Sequence, residues 1–256
     1  ARESKVSRAE ERRGSRSKGG SDMTKFGMIL GVVALIGAGW LFWSVRGSVL
    51  GTPATGPLLE LDLEDRAVYQ QLAQGITSGD PTGTIGIIEF GDYQCPGCGG
   101  FALSVKPQID LALVQTGRAY FQYFDFPLIN MHPHAFLAAR AARCAGDQDL
   151  YWEYHQELFR NQSSWSGRQS AVGAFLGYAQ GLGLDQDTFE GCVKSDKYAD
   201  VVTANMSLGR EAGVSGTPTI FLNVKAQGLR PVMRNDFQSI EAAIESALED
   251  LETAGN

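Results

Sequence analysis

The sequence predicts an α/β sheet domain interrupted by a helical insertion and preceded by a single N-terminal transmembrane helix. Two β-type runs, TIGIIEF at 84–90 and RAYFQYFDFPL at 118–128, flank a run with helical character. From 132 to about 213 the apolar residues follow helical spacing, and strand character returns in TPTIFLN at 217–223. Upstream, the 20 residues FGMILGVVALIGAGWLFWSV at 26–45 carry no charge.

That uncharged segment matches the length of an α-helix crossing a hydrocarbon core of roughly 30 Å, and it closes on Trp40, Phe42 and Trp43, where interfacial aromatics sit. A cleavable signal peptide is the competing reading, although its apolar region is usually shorter. Residues 1–25 hold eight Lys/Arg against four Asp/Glu. The basic excess on the N-terminal side predicts a cytoplasmic, unstructured tail at 1–25 and an exported body on a single-pass membrane anchor. Residues 46–60 read as a linker rich in Gly, Pro and Thr, and 61–256 as the folded domain, with its insertion at about 132–213.

The 256 residues are 43% apolar and 20% charged, an ordinary globular composition. The net charge is -7 overall and -11 over residues 46–256. An acidic body excludes nucleic acid as a partner, because phosphate binding needs a basic footprint.

Each element has a local cause. The run 84–90 is β-branched and aromatic, as in a buried strand, and Pro96 suits the first turn of a helix reaching about residue 115. Gly117 punctuates before the second strand. Gly146-Asp147 and 181–183 separate the helices of the insertion. A further strand is expected near 231–234, and SIEAAIESALEDLE at 239–252 has the apolar spacing of an amphipathic final helix.

The chemistry centres on EFGDYQCPGCGGF at 89–101. A C-x-x-C spacing serves zinc and thiol exchange alike. Here Cys95 falls at a helix N-terminus, where unpaired N–H groups and the dipole stabilise a thiolate, and Cys98 lies one turn inward, placed to resolve a mixed disulfide. Zinc would need a second ligand pair, and Cys144 and Cys192 stand alone, so no metal and no cofactor are expected. His132, His134 and His155 fall on expected helices and read as packing or surface residues. If Cys95 pairs with Cys98, Cys144 and Cys192 remain as a structural disulfide or as two buried thiols. Glu89, inside an apolar strand, is either a buried carboxyl with a raised pKa acting as proton donor and acceptor for Cys98, or a solvent-facing residue.

The motifs IIEFGDYQCPGCGGF, FPLINMHPHAFLAARAARCA, LYWEYHQELFRNQ and GVSGTPTIFLN together resemble the DsbA-like, membrane-anchored bacterial branch of the thioredoxin superfamily, over roughly residues 79–251. The resemblance implies a thioredoxin fold with an inserted helical domain. It implies that Cys95 is the attacked thiol, Cys98 the resolver, Pro218 a cis proline facing them, and Thr217 a backbone contact for the client. It places Glu89 at the family's buried acidic position and favours a Cys144–Cys192 bridge. The implied activity is donation of disulfides to exported cysteine-containing proteins, with reoxidation by a DsbB-like or VKOR-like membrane oxidase. A reductase or isomerase, or a peptide-binding chaperone module, is the alternative. Pro96-Gly97 departs from the Pro-His of the strongest oxidant, which leaves the direction of electron flow open.

Overall fold

The run expected as a buried strand forms β2, Ile85–Gly91, at the centre of a five-stranded mixed sheet. All seven of its residues are buried, which explains why it reads as continuous apolar sequence instead of alternating. The computed structural model describes residues 66–225 and 227–254, with Met28 and Gly56. The tail at 1–25, the membrane segment at 26–45 and the linker at 46–60 otherwise lie outside the described residues. Among those described, no helix is long and apolar enough to cross a membrane.

The strands are β1 Ile76–Ser78, β2, β3 Tyr120–Asp125, β4 Thr219–Val224 and β5 Gly228–Val232, in spatial order β1-β3-β2-β4-β5. Among the described strands only β2 and β3 run parallel, and the crossover that parallel pairing requires is the helix that follows Cys95. The second strand is shorter than the expected 118–128. Phe126 N–H still donates to Gly91 O at 2.7 Å, but Pro127 has no N–H with which to continue. The last strand begins earlier than expected, because Gly228, with φ +86°, turns the β4–β5 hairpin. Pro231 is tolerated there because β5 is an edge strand.

Two elements escaped the sequence reading. β1 is three residues long, too short to show a period, and exists because Ile76 pairs with Tyr123. Helix α1, Arg66–Leu72, is held from afar: Tyr69 Oη donates to Glu211 Oε2 at 2.5 Å and Arg66 pairs with the same carboxylate.

Helix α2 runs from Pro96 to Val114 as two α segments, Pro96–Gly100 and Lys106–Ile109, each followed by a π-helical turn, Phe101–Val105 and Asp110–Val114. Lys106 N–H donates five residues back to Phe101 O. Pro107 is the physical cause we assign to the first turn, since it removes the next N–H and forces the ladder to widen. The extra residue re-phases the helix face and leaves Lys106 buried, its Nζ 4.4 Å from the Trp152 ring centroid and 4.9 Å from that of Phe121.

The insertion contains α3 Ala135–Gly146, α4 Tyr151–Arg160, α5 Gln162–Trp165, α6 Val172–Gly181, α7 Gln186–Lys194 and α8 Ala199–Glu211; α9, Phe237–Ala254, closes the chain. His132 lies in the loop before α3 and not on a helix, and His134 is the N-cap. Pro133 between them favours extended backbone at His132 and delays the helix. Helix α3 is buried nearly all round because its face is mostly alanine and its two arginines are paired. Arg143 donates to Asp125 Oδ2 on β3 and to Gln74 O, each at 2.6 Å, while Arg140 pairs with Asp196.

Cys144 on α3 and Cys192 on α7 are joined in a disulfide closing a separation of 48 residues. Changing both to alanine is expected to lower unfolding stability by about 2–4 kcal/mol, through restored freedom of the unfolded chain. Urea denaturation of the two proteins side by side measures it, and unchanged midpoints would refute it.

Candidate active site

β2 ends at Gly91, a short loop follows, and Cys95 is the N-cap of α2 with extended backbone (φ -74°, ψ 122°). Pro96 occupies the first turn, where a missing N–H costs nothing. Gly97 packs close to the proline: a Cβ there would lie 3.2 Å from Pro218 Cδ, a tight contact. The Thr217–Pro218 bond is cis, and Thr217 O lies 3.3 Å from Cys95 Sγ. The sequence therefore brings together residues 122 apart. Cys95 is half-buried, Cys98 fully buried.

The two thiols are driven in opposite directions. Cys95 is brought down to about 5, first by the Cys98 thiol donating to it, then by the Thr217 hydroxyl and the N–H groups of Cys98 and Gly97, against the opposing effect of burial. As a neutral thiol Cys95 donates to Thr217 O; once ionised it needs a donor, and the buried, otherwise unpartnered Thr217 Oγ1 is at hand. Burial pushes Cys98 well above the usual thiol range, and the charges of Cys95 and Glu89 add to this. Asp92 N–H, 3.4 Å from Cys98 Sγ, is the one donor opposing the rise.

Glu89 is buried, not solvent-facing, and neither carboxyl oxygen has a partner. Desolvation raises it to about 8, the Lys106 charge working against that and the Cys95 charge with it. It is therefore a neutral acid at pH 7, sitting within electrostatic reach of Cys98.

The sequence reading missed the residues that hold the loop. The Asp92 carboxylate is buried and accepts from Gln94 N–H at 2.7 Å and Leu128 N–H at 2.8 Å, and it meets His132 Nδ1 at 2.7 Å. Gln94 reaches His134 N–H and Ser166 O; Gln162 donates to Tyr93 O and Cys95 O. The insertion thus straps the cysteine loop from three sides. Asp two residues before Gln94 is an Asx-turn signal that sequence could have offered, but its partners on the far loop could not be read locally. His155, expected to be a packing residue, is in the core, with Nδ1 2.9 Å from Tyr93 Oη. Among the described residues no cluster of three His, Cys, Asp or Glu side chains is arranged for a metal, and Cys144 and Cys192 are occupied with each other.

A thiolate-prone, accessible sulfur one helical turn from a buried, proton-holding one is suited to disulfide exchange. The thioredoxin family model matches residues 71–245, and the chain belongs to that family. It is similar to "Probable disulfide bond formation protein D" of Bacillus cereus, with 22% identity over 66% of this chain and 77% of that one. Among solved structures, Wolbachia pipientis alpha-DsbA1 superposes with a TM-score of 0.61, 22% identity, and coverage of 72% of this chain and 98% of that one. Na(+)/H(+) antiporter NhaA 1 of Salinispora arenicola is 27% identical over 88% of this chain, which spans only 33% of that protein's length.

Proposed function

We propose that the protein donates its Cys95–Cys98 disulfide to exported proteins, from a domain held outside the cytoplasm by a transmembrane helix at 26–45. A client thiolate attacks Cys95 Sγ; the Cys95–Cys98 bond breaks, and Cys98 leaves with the electron pair. The departing sulfur takes a proton from Glu89. A second client thiolate then attacks the client sulfur of the mixed disulfide, and Cys95 leaves as a thiolate. Two electrons have passed from the client to the enzyme pair, which a membrane oxidase of the DsbB-like or VKOR-like kind restores. The Thr217 backbone beside Cys95 offers hydrogen bonds to an extended client chain.

The depressed pKa of Cys95, to about 5, carries this reading, because a stabilised thiolate favours the reduced enzyme and makes its disulfide a stronger oxidant. Cysteine pKa and potential run together from thioredoxin (about 7 and about -270 mV) to DsbA (about 3.5 and about -120 mV), so a thiol brought down to about 5 is expected between those two potentials. The charge asymmetry around 26–45 supports the exported location. Equilibration with glutathione buffers measures the potential. A value near -270 mV would assign the protein to reduction instead.

A further inference from the structure

We propose that the groove beside the cis proline, walled by the β3–α3 loop and the end of α8, is a client subsite that selects cysteines flanked by a large apolar side chain and, beyond it, a carboxylate. This rests on the exchange reading above and names the clients that reading serves.

Both walls are fastened to the redox pair. Phe126 N–H donates to Gly91 O at the end of β2, and Leu128 N–H donates to the Asp92 carboxylate at 2.8 Å. Asp92 in turn gives its own N–H to Cys98 Sγ at 3.4 Å, and His132 Nδ1, 2.7 Å from the same carboxylate, fixes the far end of the loop. On the opposite wall Val214 N–H donates to Gly209 O at 2.9 Å, and Gly213, with φ +83°, turns the chain out of α8 toward Thr217. Thr217 O lies 3.3 Å from Cys95 Sγ. The groove, of about 430 Å³, reaches Ser215, two residues before Thr217, so it continues the surface on which a client chain would lie.

The lining sets what it takes. Phe126, Met206 and Val214 make a buried apolar floor. Helix α8 can approach that floor because residue 209 is glycine, where a Cβ would lie 2.5 Å from the Phe126 ring. Leu128 and Ile129 are half-buried and Met131 is 67% exposed, an apolar rim whose thioether adapts to side chains of different shape. Among the described residues Arg210 is the one charged member of the lining. It is exposed and makes no ion pair or side-chain hydrogen bond among them, the adjacent Glu211 being taken by Arg66 and Tyr69. In a body whose net charge is -11 over residues 46–256, an unpaired guanidinium at the end of an apolar trough favours a segment that brings its own carboxylate. An extended chain advances about 3.3 Å per residue and sends every second side chain to one face. A client laid along residues 214–217 with its cysteine at Cys95 therefore turns the side chain two positions away to the floor and the one four positions away to Arg210.

The test is steady-state oxidation of dithiol peptides whose reactive cysteine is followed by x-Phe-x-Glu or preceded by Glu-x-Phe-x, against the same peptides with Ala for Phe or Lys for Glu. In one of the two orders the parent's kcat/KM is expected to be about tenfold higher with Phe than with Ala. At low salt it is expected to be about threefold higher with Glu than with Lys. Arg210→Glu is expected to invert the second preference and keep the first, and Met131→Ser to weaken the first and keep the second. Both positions are exposed, so neither change removes a core contact. A parent that oxidises all the peptides alike in both orders would overturn the proposal, as would preferences that survive both substitutions. Self-association of the parent that Met131→Ser abolishes, with no selectivity among peptides, would assign the groove to a second copy of the chain and overturn it as well. A parent no faster than Cys95→Ser on every peptide would bring down the exchange reading itself, and the subsite with it.

Discussion

Replacing Cys95 with serine is expected to reduce oxidation of a dithiol peptide to the uncatalysed rate, a loss of at least about 10³-fold. The physical reason is specific to this sulfur. Cys98 is fully buried, so the client can reach only Cys95. Serine forms no bond with the Cys98 sulfur, and no hydroxyl is held near 5 as the Cys95 thiol is. Changing Cys98 to serine separates the two roles, since Cys95 remains an accessible thiolate while its resolver is gone. Mixed disulfides between Cys95 and glutathione or a client are then expected to persist and to be visible by intact mass. Equal oxidation rates for Cys95→Ser and the parent would eliminate the exchange mechanism altogether.

Glu89→Gln is expected to flatten the pH dependence of stability. Its folded pKa of about 8 lies above the unfolded value near 4.5. Between those values the folded state binds the proton that the unfolded state has released, so the stabilising contribution is complete below about pH 4.5 and is lost as pH rises toward 8. The slope is about 1.4 kcal/mol per pH unit over most of that interval, an integrated loss of roughly 3–4 kcal/mol. Cys95 works in the opposite sense, its depressed pKa giving stability that disappears as pH falls through about 5. Urea unfolding is therefore best done on the oxidised protein, in which Cys95 does not titrate. His155 contributes only at the acid end, where its charging opposes folding. A parent as stable at pH 8 as at pH 6.5, or a Gln variant retaining the parent's slope, would show that Glu89 is not the group responsible.

Much of the site was readable because its chemistry is local. C-x-x-C, the strand before it, Pro96 at the start of a helix and the Thr-Pro pair ahead of a late strand are all contiguous features, and local propensity and periodicity record them. The same holds for the helical spacing of the insertion and the apolar run of β2, whose boundaries moved by only a residue or so. Where proline or glycine intervened, the boundaries moved further, as at Pro127 and Gly228, because a missing N–H or a positive φ ends pairing irrespective of side-chain pattern.

What the sequence by itself determined is most of the strand and helix segments and the pair of cysteines two residues apart at a helix start. Tertiary structure decided whether Glu89 faced water or core, since a carboxylate on a strand takes its environment from whatever covers that face. It decided that Lys106, re-phased by a π turn at Pro107, points inward. It also converted two histidines that look like packing residues into neighbours of the reactive loop: His132 reaches Asp92 across 40 residues and His155 reaches Tyr93 across 62. Short-range order is set by the conformational preferences of adjacent residues. A proton's surroundings are set by which distant side chains close packing brings within 3 Å, and no window along the chain contains both partners.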